Sequence, residues 1–95
     1  MLQQFHRNPR VELAPLETEA ILFDPQGNKF LVLNSTSSFL WDRLTEPCTA
    51  SDLAHAVCDR FDGVAFPDAL HDVEQILEDM LSNDLLVEVT TAAAT

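Results

Sequence analysis

The feature that most constrains the fold is a turn-forming segment between two short apolar runs. The runs are Ala20–Phe23 and Phe30–Leu33, and residues 24–28 between them read DPQGN. Pro25 presets φ for the first central position of a turn, and Gly27 can adopt the positive φ that a bulged hairpin turn requires. The two runs therefore predict an antiparallel β-hairpin.

A further strand is expected before this hairpin. Residues 11–16 alternate apolar and polar side chains, and Pro15 ends the alternation. Residues 1–10 are polar and contain Pro9, so we expect a flexible arm there, followed by one domain over residues 11–89. Residues 90–95 (TTAAAT) are expected to form a flexible tail.

After Leu33 the spacing of apolar residues becomes helical. Asn34 or Ser35 can cap a first helix, which is expected to end before Pro47. Thr49 and the carboxylate three residues later predict a capped second helix that ends at residues 62–63. The order of elements is three strands followed by three helices, which predicts an α+β domain.

The third helix is expected to run from Pro67 to about Ser82, because proline is favoured at the start of a helix. Asn83 is expected just past its end in the left-handed conformation. Residues 85–89 are expected to add a short extended segment.

The charge of the chain disfavours binding to nucleic acid. The 95 residues contain 16 acidic and five basic residues, a formal net charge of −11, and no Lys or Arg follows Arg60. Such a surface repels phosphate backbones. It can attract a basic peptide or the basic patch of an enzyme, or serve solubility alone. No segment is long and apolar enough for a membrane span, and the first ten residues lack a signal-peptide core, so we expect a cytoplasmic protein.

Residues that could carry catalysis are few. The histidines in the second and third helices, His55 and His71, fall away from the apolar faces. Cys48 and Cys58 are ten residues apart without further ligands at the spacing that zinc requires. Two glycines cannot form a glycine-rich phosphate loop. The sequence therefore predicts no enzyme activity, no metal and no cofactor.

The apolar stripe of the third helix is wide. With Val73 as the reference direction, Ile76 lies about 60° to one side and Leu81 about 80° to the other. The stripe is thus about 140° wide, compared with about 100° for a helix packed on one core. The extra width indicates either a groove beside the helix or a broad core contact, and the spacing alone does not separate the two.

The last strand of the hairpin is apolar on both faces. In a three-stranded meander this strand lies at an edge unless the C-terminal segment pairs with it. Edge strands are normally protected by charge or proline, and here only Lys29, at its start, provides such protection. An unprotected apolar edge favours the addition of another strand.

At these positions the chain resembles the PqqD-like proteins, small domains also called RiPP recognition elements. The resemblance covers about residues 16–87. It rests on a leucine–asparagine step after the hairpin, then a threonine and a helical tryptophan, then the capped second helix, and finally an Asp-Val pair followed by spaced leucines. The residues that carry it are Leu33, Asn34, Thr36, Trp41, Leu44, Thr49 to Phe61, Asp72, Val73, Leu77, Leu81, Leu85, Leu86 and Val87.

The resemblance implies a winged helix-turn-helix-like fold, with a three-stranded antiparallel sheet followed by three helices. It also implies that the leader segment of a ribosomally made precursor peptide binds as an extra strand, in the cleft between the third strand and the third helix. The partners it implies are modifying enzymes, either the peptidase and cyclase of lasso-peptide pathways or a radical SAM enzyme.

The peptide-binding residues that the resemblance implies lie on these two elements. The strand residues pair through their backbone while their side chains alternate between core and cleft, four apolar helix residues form pockets, and a carboxylate meets a basic or hydroxyl group. They are Phe30, Leu31, Val32, Leu33, Asp72, Val73, Ile76, Leu77 and Met80.

Two other functions fit the predicted architecture. One is a homodimeric interaction module whose edge strands pair with each other. The other is a DNA-binding winged helix, whose recognition helix needs Lys or Arg at base and phosphate positions. The second helix offers only Arg60, and the third offers none.

Overall fold

The computed structural model describes residues 2–17, 19–27 and 29–91. It confirms an α+β fold with a three-stranded antiparallel sheet and three helices. The strands are β1 (Leu2–Arg7), β2 (Glu12–Pro15), β3 (Ala20–Phe23), β4 (Phe30–Leu33) and β5 (Leu86–Thr91). The helices are α1 (Ser35–Arg43), α2 (Ala50–Arg60) and α3 (Phe66–Ser82).

The predicted meander forms the larger sheet, in the order β2-β3-β4 with antiparallel neighbours. The turn between β3 and β4 is closed by Gly27, whose backbone N–H donates to the Asp24 carbonyl oxygen at 3.0 Å. The positive φ predicted for Gly27 is wrong, because Gly63 and Asp84 are the residues with positive φ in the described part of the chain. Asn28, which contributed to the turn prediction, lies outside the described residues.

The predicted N-terminal arm is instead an integral strand, which corrects the domain boundary. β1 pairs antiparallel with β5, and Phe5 lies opposite Glu88. On its other side, the N–H of Phe5 donates to the Cys48 carbonyl at 2.8 Å, and Phe5 itself is 7% exposed. The polar sequence of residues 1–10 did not indicate that Phe5 is buried, or that this segment pairs with the C-terminal strand β5. The predicted flexible tail is wrong for residues 90–91, which lie in β5, while residues 92–95 lie outside the described residues.

α1 and α2 each begin directly after a residue whose side chain caps the helix. Asn34 caps α1 and Thr49 caps α2, each in a reciprocal capping box. The predicted left-handed residue after α3 is displaced by one position, since Asn83 has φ −101° and Asp84 has φ 58°. The N–H of Leu85 then donates to the Met80 carbonyl at 2.9 Å, so the reversal is closed by a six-residue hydrogen bond.

One hydrophobic core joins the inner face of the β2-β3-β4 sheet to the three helices and to the β1·β5 ribbon. Burial of these apolar side chains is the main favourable contribution to folding. The largest fully buried side chains come from β3, β4, all three helices and the residues that follow them: Leu22, Leu33, Leu40, Leu44, Leu53, Met80, Leu85 and Val73.

Candidate functional site

β4 is a free edge of the larger sheet. It pairs with β3 on one side, and the C-terminal strand that might have covered its other side pairs with β1. Within the described ranges, no strand pairs with the second side of β4. Its outward N–H and C=O groups are therefore available to another extended segment.

The side chains of β4 alternate between two faces of the sheet. Leu33 is fully buried and Leu31 is half-buried against the core. Phe30 and Val32 are 61% and 46% exposed. These two side chains lie on the outer face, opposite the core and α3, so the expectation that they point into the cleft is wrong. Only the backbone of β4 and the side chain of Leu31 are placed to contact a segment between β4 and α3.

The C-terminal end of α3 lies beside the start of β4. Lys29 connects them: its Nζ is 2.9 Å from Oδ2 of Asp84 and donates to the Ser82 carbonyl at 3.2 Å. The sequence indicated Lys29 only as a protective charge on the edge. Its partner lies 55 residues further along the chain, and no local pattern could have identified it.

Three of the predicted pocket residues belong to the core. Val73 and Met80 are fully buried, and Leu77 is 3% exposed. Val73 and Met80 therefore have no exposed surface with which to line a pocket in the free protein, because a small domain uses most of its widest apolar stripe to bury its own core. A contact of these three residues with a bound peptide stays a prediction. Asp72 is exposed and Ile76 is half-buried, so these two remain available.

The two flanks of α3 have different surroundings in the structure. Glu74 and Leu77 line a cavity of about 380 Å³ together with β1 and the start of α2. Ile76 and Asp72 each lie about 160° around the helix from Glu74, on the flank away from β1 and α2. Because Lys29 joins the start of β4 to the end of α3, we use the name edge groove for the candidate surface made up of the β4 backbone and the side chains of Leu31, Asp72 and Ile76.

The structure offers little for catalysis elsewhere. A cavity of about 220 Å³ contains Cys48, Asp52 and His55. Burial, followed by the nearby carboxylates of Asp52 and Glu46, raises the pKa of the Cys48 thiol. A raised pKa keeps the thiol protonated, which is the opposite of what a nucleophilic cysteine needs. Among the described residues, no group of three His, Cys, Asp or Glu side chains could hold a metal ion, and no helix is long and apolar enough to cross a membrane.

With the fold and the groove described, the comparisons identify the class of protein. The family model described as coenzyme PQQ synthesis protein D (PqqD) matches residues 19–86. The chain therefore belongs to the PqqD family. The match begins before β3 and ends at the start of β5, so it includes β4 and α3, the two elements of the edge groove. No curated protein sequence matches the chain.

Two solved structures share the fold. One is described as lasso peptide synthetase B1 complexed with the leader peptide, with a TM-score of 0.73, 20% identity, and coverage of 87% of this chain and 96% of that one. The other is TbiB1 in complex with the TbiA(beta) leader peptide, with a TM-score of 0.73, 22% identity, and coverage of 85% and 93%. At these identities the similarity establishes the fold.

Proposed function

We propose that this protein binds the leader segment of a ribosomally synthesised precursor peptide as a strand added to β4, and presents that peptide to a modifying enzyme. The observation that carries the proposal is the free β4 edge, whose start Lys29 joins to the end of α3. Membership of the PqqD family supports it, as do two proteins of the same fold whose structures contain leader peptides.

The edge groove divides recognition between backbone and side chains. Backbone pairing along β4 holds an extended segment with little regard to its sequence, and alternate side chains of that segment face the groove. There Leu31 and Ile76 contact apolar side chains, while Asp72 meets a basic or hydroxyl group. Specificity thus comes from every second leader residue.

Presentation, and not catalysis, is the role we assign to this chain. A bound leader tethers the reactive part of the precursor near an enzyme and raises its effective concentration there. The partner is the peptidase and cyclase of a lasso-peptide pathway or a radical SAM enzyme, and the neighbour described as lasso peptide synthetase B1 favours the first. Precursor synthesis and modification by such enzymes place the protein in the cytoplasm.

The first test is binding of fluorescently labelled leader peptides, taken from short open reading frames beside this gene, followed by anisotropy. We expect saturable binding to a leader and none to its scrambled sequence. Strand addition is tested with two leader series that are N-methylated at alternate residues. Only every second N–H of an added strand faces β4, so one series should lose binding and the other should retain it.

Equal sensitivity of both N-methylated series would contradict strand addition. Absence of binding to any neighbouring leader, with the protein folded, would contradict leader recognition itself.

Substitution in α3 tests the choice of flank. Ile76→Asp places a carboxylate in the apolar part of the groove, and we expect it to weaken leader binding by at least about tenfold, or about 1.4 kcal/mol. Gln75→Asp, at an exposed neighbouring position with the same change in charge, should leave the affinity within about twofold. Anisotropy gives both affinities, and thermal unfolding verifies that both variants fold. Equal affinities for the two variants would show that the other flank of α3 is used.

A homodimer is the second candidate, favoured by the same free β4 edge. Two copies could pair these edges, although the net charge of −11 on each copy opposes their association. Sedimentation at increasing protein concentration would reveal it as a rise in molar mass without peptide. A DNA-binding role lacks support, since α3 contains no Lys or Arg and α2 contains only Arg60.

A further inference from the structure

The outer face of the β2-β3-β4 sheet is apolar, although it does not face the core. The strand register aligns Ala14, Ile21 and Val32 in one row across the three strands. In the next outward-facing row, Phe23 lies between Glu12 and Phe30. Five of these six side chains are apolar. In a sheet with one face in water, this face is normally polar.

No element of the described chain buries this outer face. Phe30 and Val32 are 61% and 46% exposed, and the other three apolar residues are only partly buried. None of the five belongs to the core or packs against it. Apolar surface of this kind, gathered on one rigid element, is typical of an interaction site.

The charges around the outer face are acidic. Two nearby cations are paired with carboxylates, Arg10 with Asp24 at 3.0 Å and Lys29 with Asp84 at 2.9 Å. Glu12 lies on the face itself, and Glu17 and Glu19 are exposed at the end where β2 turns into β3, where they line a pocket that also contains Arg60. An apolar centre with a carboxylate border complements a protein surface with an apolar centre and a border of Lys and Arg.

From these observations we propose that the outer face of the β2-β3-β4 sheet is the docking surface for the modifying enzyme, and that this enzyme contributes an apolar patch bordered by basic residues. The inference rests on the proposed function, because it names the surface for a partner that leader binding requires. It assigns leader and enzyme to adjacent surfaces, the β4 edge and the sheet face, so both can bind at once.

Leader binding enlarges this docking surface. An added strand lies about 4.8 Å beyond β4, and its alternate side chains point to the same side as Phe30 and Val32. The enzyme therefore contacts three strands in the free protein and four in the leader complex. This geometry makes enzyme recruitment depend on the leader without any change in the conformation of the domain.

A second copy of this chain is a poor occupant of the same face. Three four-residue strands present a face about 14 Å by about 14 Å. This is about a quarter of the roughly 800 Å² that each partner buries in a stable complex, so most of the interface must come from the border. Between two copies that border places carboxylates against carboxylates, whereas a basic partner neutralises them.

The experiment uses the leader identified by anisotropy and the purified enzymes encoded beside its reading frame, with enzyme binding measured by biolayer interferometry. We expect one enzyme to bind the leader-loaded protein at least tenfold more tightly than the free protein. Ile21→Arg removes a central apolar contact and adds a charge of the same sign as the enzyme border. It should weaken enzyme binding at least tenfold and leave leader affinity within twofold.

Two further variants test whether the effect of Ile21→Arg is specific to the outer face of the sheet. Gln75→Arg makes the same change in charge at an exposed position of α3 and should leave both affinities unchanged. Ala14→Arg, at one end of the row that has Ile21 at its centre, should repeat the loss of enzyme binding. Thermal unfolding is measured for each variant to confirm that it is folded.

The outcomes separate this proposal from the one on which it rests. Loss of leader binding in Ile21→Arg, or equal enzyme binding by Ile21→Arg and Gln75→Arg, overturns the docking surface while leader recognition stands. It is also overturned if no neighbouring enzyme binds the leader-loaded protein, or if the outer face mediates self-association that Ile21→Arg abolishes. Failure of wild-type protein to bind any leader contradicts the proposed function instead.

Discussion

Asn34 shows how much one residue determines at the junction between sheet and helix. Its side-chain oxygen accepts hydrogen bonds from the N–H and the hydroxyl of Ser37, each at 2.9 Å. The Asn34 N–H in turn donates to the Ser37 hydroxyl at 2.9 Å. These bonds satisfy backbone donors at the start of α1 and fix the direction in which the chain leaves β4. The residue that ends the candidate binding strand thus also begins the helix that packs behind it.

Replacement of this cap should have a measurable cost. We expect Asn34→Ala to lower the free energy of unfolding by about 1 kcal/mol, because the donors at the start of α1 lose their partner. Urea denaturation followed by the fluorescence of Trp41 measures the change. Ser35→Ala, at the exposed next position, should change stability by less than about 0.5 kcal/mol. Similar losses in both variants would show that the capping bonds do not stabilise α1.

At the scale of elements, β1 determines the strand with which β5 pairs. It takes β5 as its partner and connects to α1, where Nε of Arg7 donates to the Trp41 carbonyl at 2.8 Å and its guanidinium lies 4.8 Å from the centre of the Trp41 ring. Because β5 is committed to β1, it does not cover β4. The N-terminal residues that the sequence indicated as a flexible arm therefore occupy the C-terminal strand that could have paired with β4.

The anchoring of β1 can be tested at Phe5. We expect Phe5→Ala to lower the free energy of unfolding by about 3–5 kcal/mol, because it leaves a cavity in the core. Phe5→Leu, a milder change in volume, should cost less than about 1.5 kcal/mol and remain folded. Gln3→Ala, at an exposed position of the same strand, serves as the control. If Phe5→Ala were as stable as Gln3→Ala by urea denaturation, residues 2–7 would be a loose arm after all.

As a whole, the molecule is thin, with principal extents of 38 × 34 × 18 Å. A chain of 95 residues buries a limited fraction of its surface, so its intrinsic stability is small and sensitive to ligands. A leader strand that binds only the folded state adds its binding free energy to that stability. Under the proposed function, the leader would both tether the precursor and stabilise the domain as an added strand.

This linkage predicts a large thermal shift. At a leader concentration of 100 times Kd the gain is about 2.7 kcal/mol, which corresponds to an increase in Tm on the order of 10 °C for a domain of this size. Differential scanning calorimetry with the leader and with its scrambled sequence measures the shift. An unchanged Tm despite binding detected by anisotropy would mean that the leader binds the unfolded chain equally well.

Local sequence features determined much of the secondary structure of this protein. The turn at residues 24–27 set the hairpin, Asn34 and Thr49 set the starts of two helices, and the apolar spacing predicted the three helices and the three strands of the larger sheet, but not β1. Each depends on neighbours within a few residues, which is why pattern and propensity predict them. The free edge of β4 was predicted only conditionally, because it depended on the partner chosen by the C-terminal segment.

Only the tertiary structure decided that partner and the faces that remain available. β1 and β5 pair across 79 to 89 residues, Lys29 meets Asp84 across 55, and Val73, Leu77 and Met80 are buried in the core. The same packing left Ile76 and Asp72 on the accessible flank and the outer sheet face uncovered. These pairings and packing contacts depend on which distant segments bury a limited apolar surface. A local sequence pattern does not contain that information.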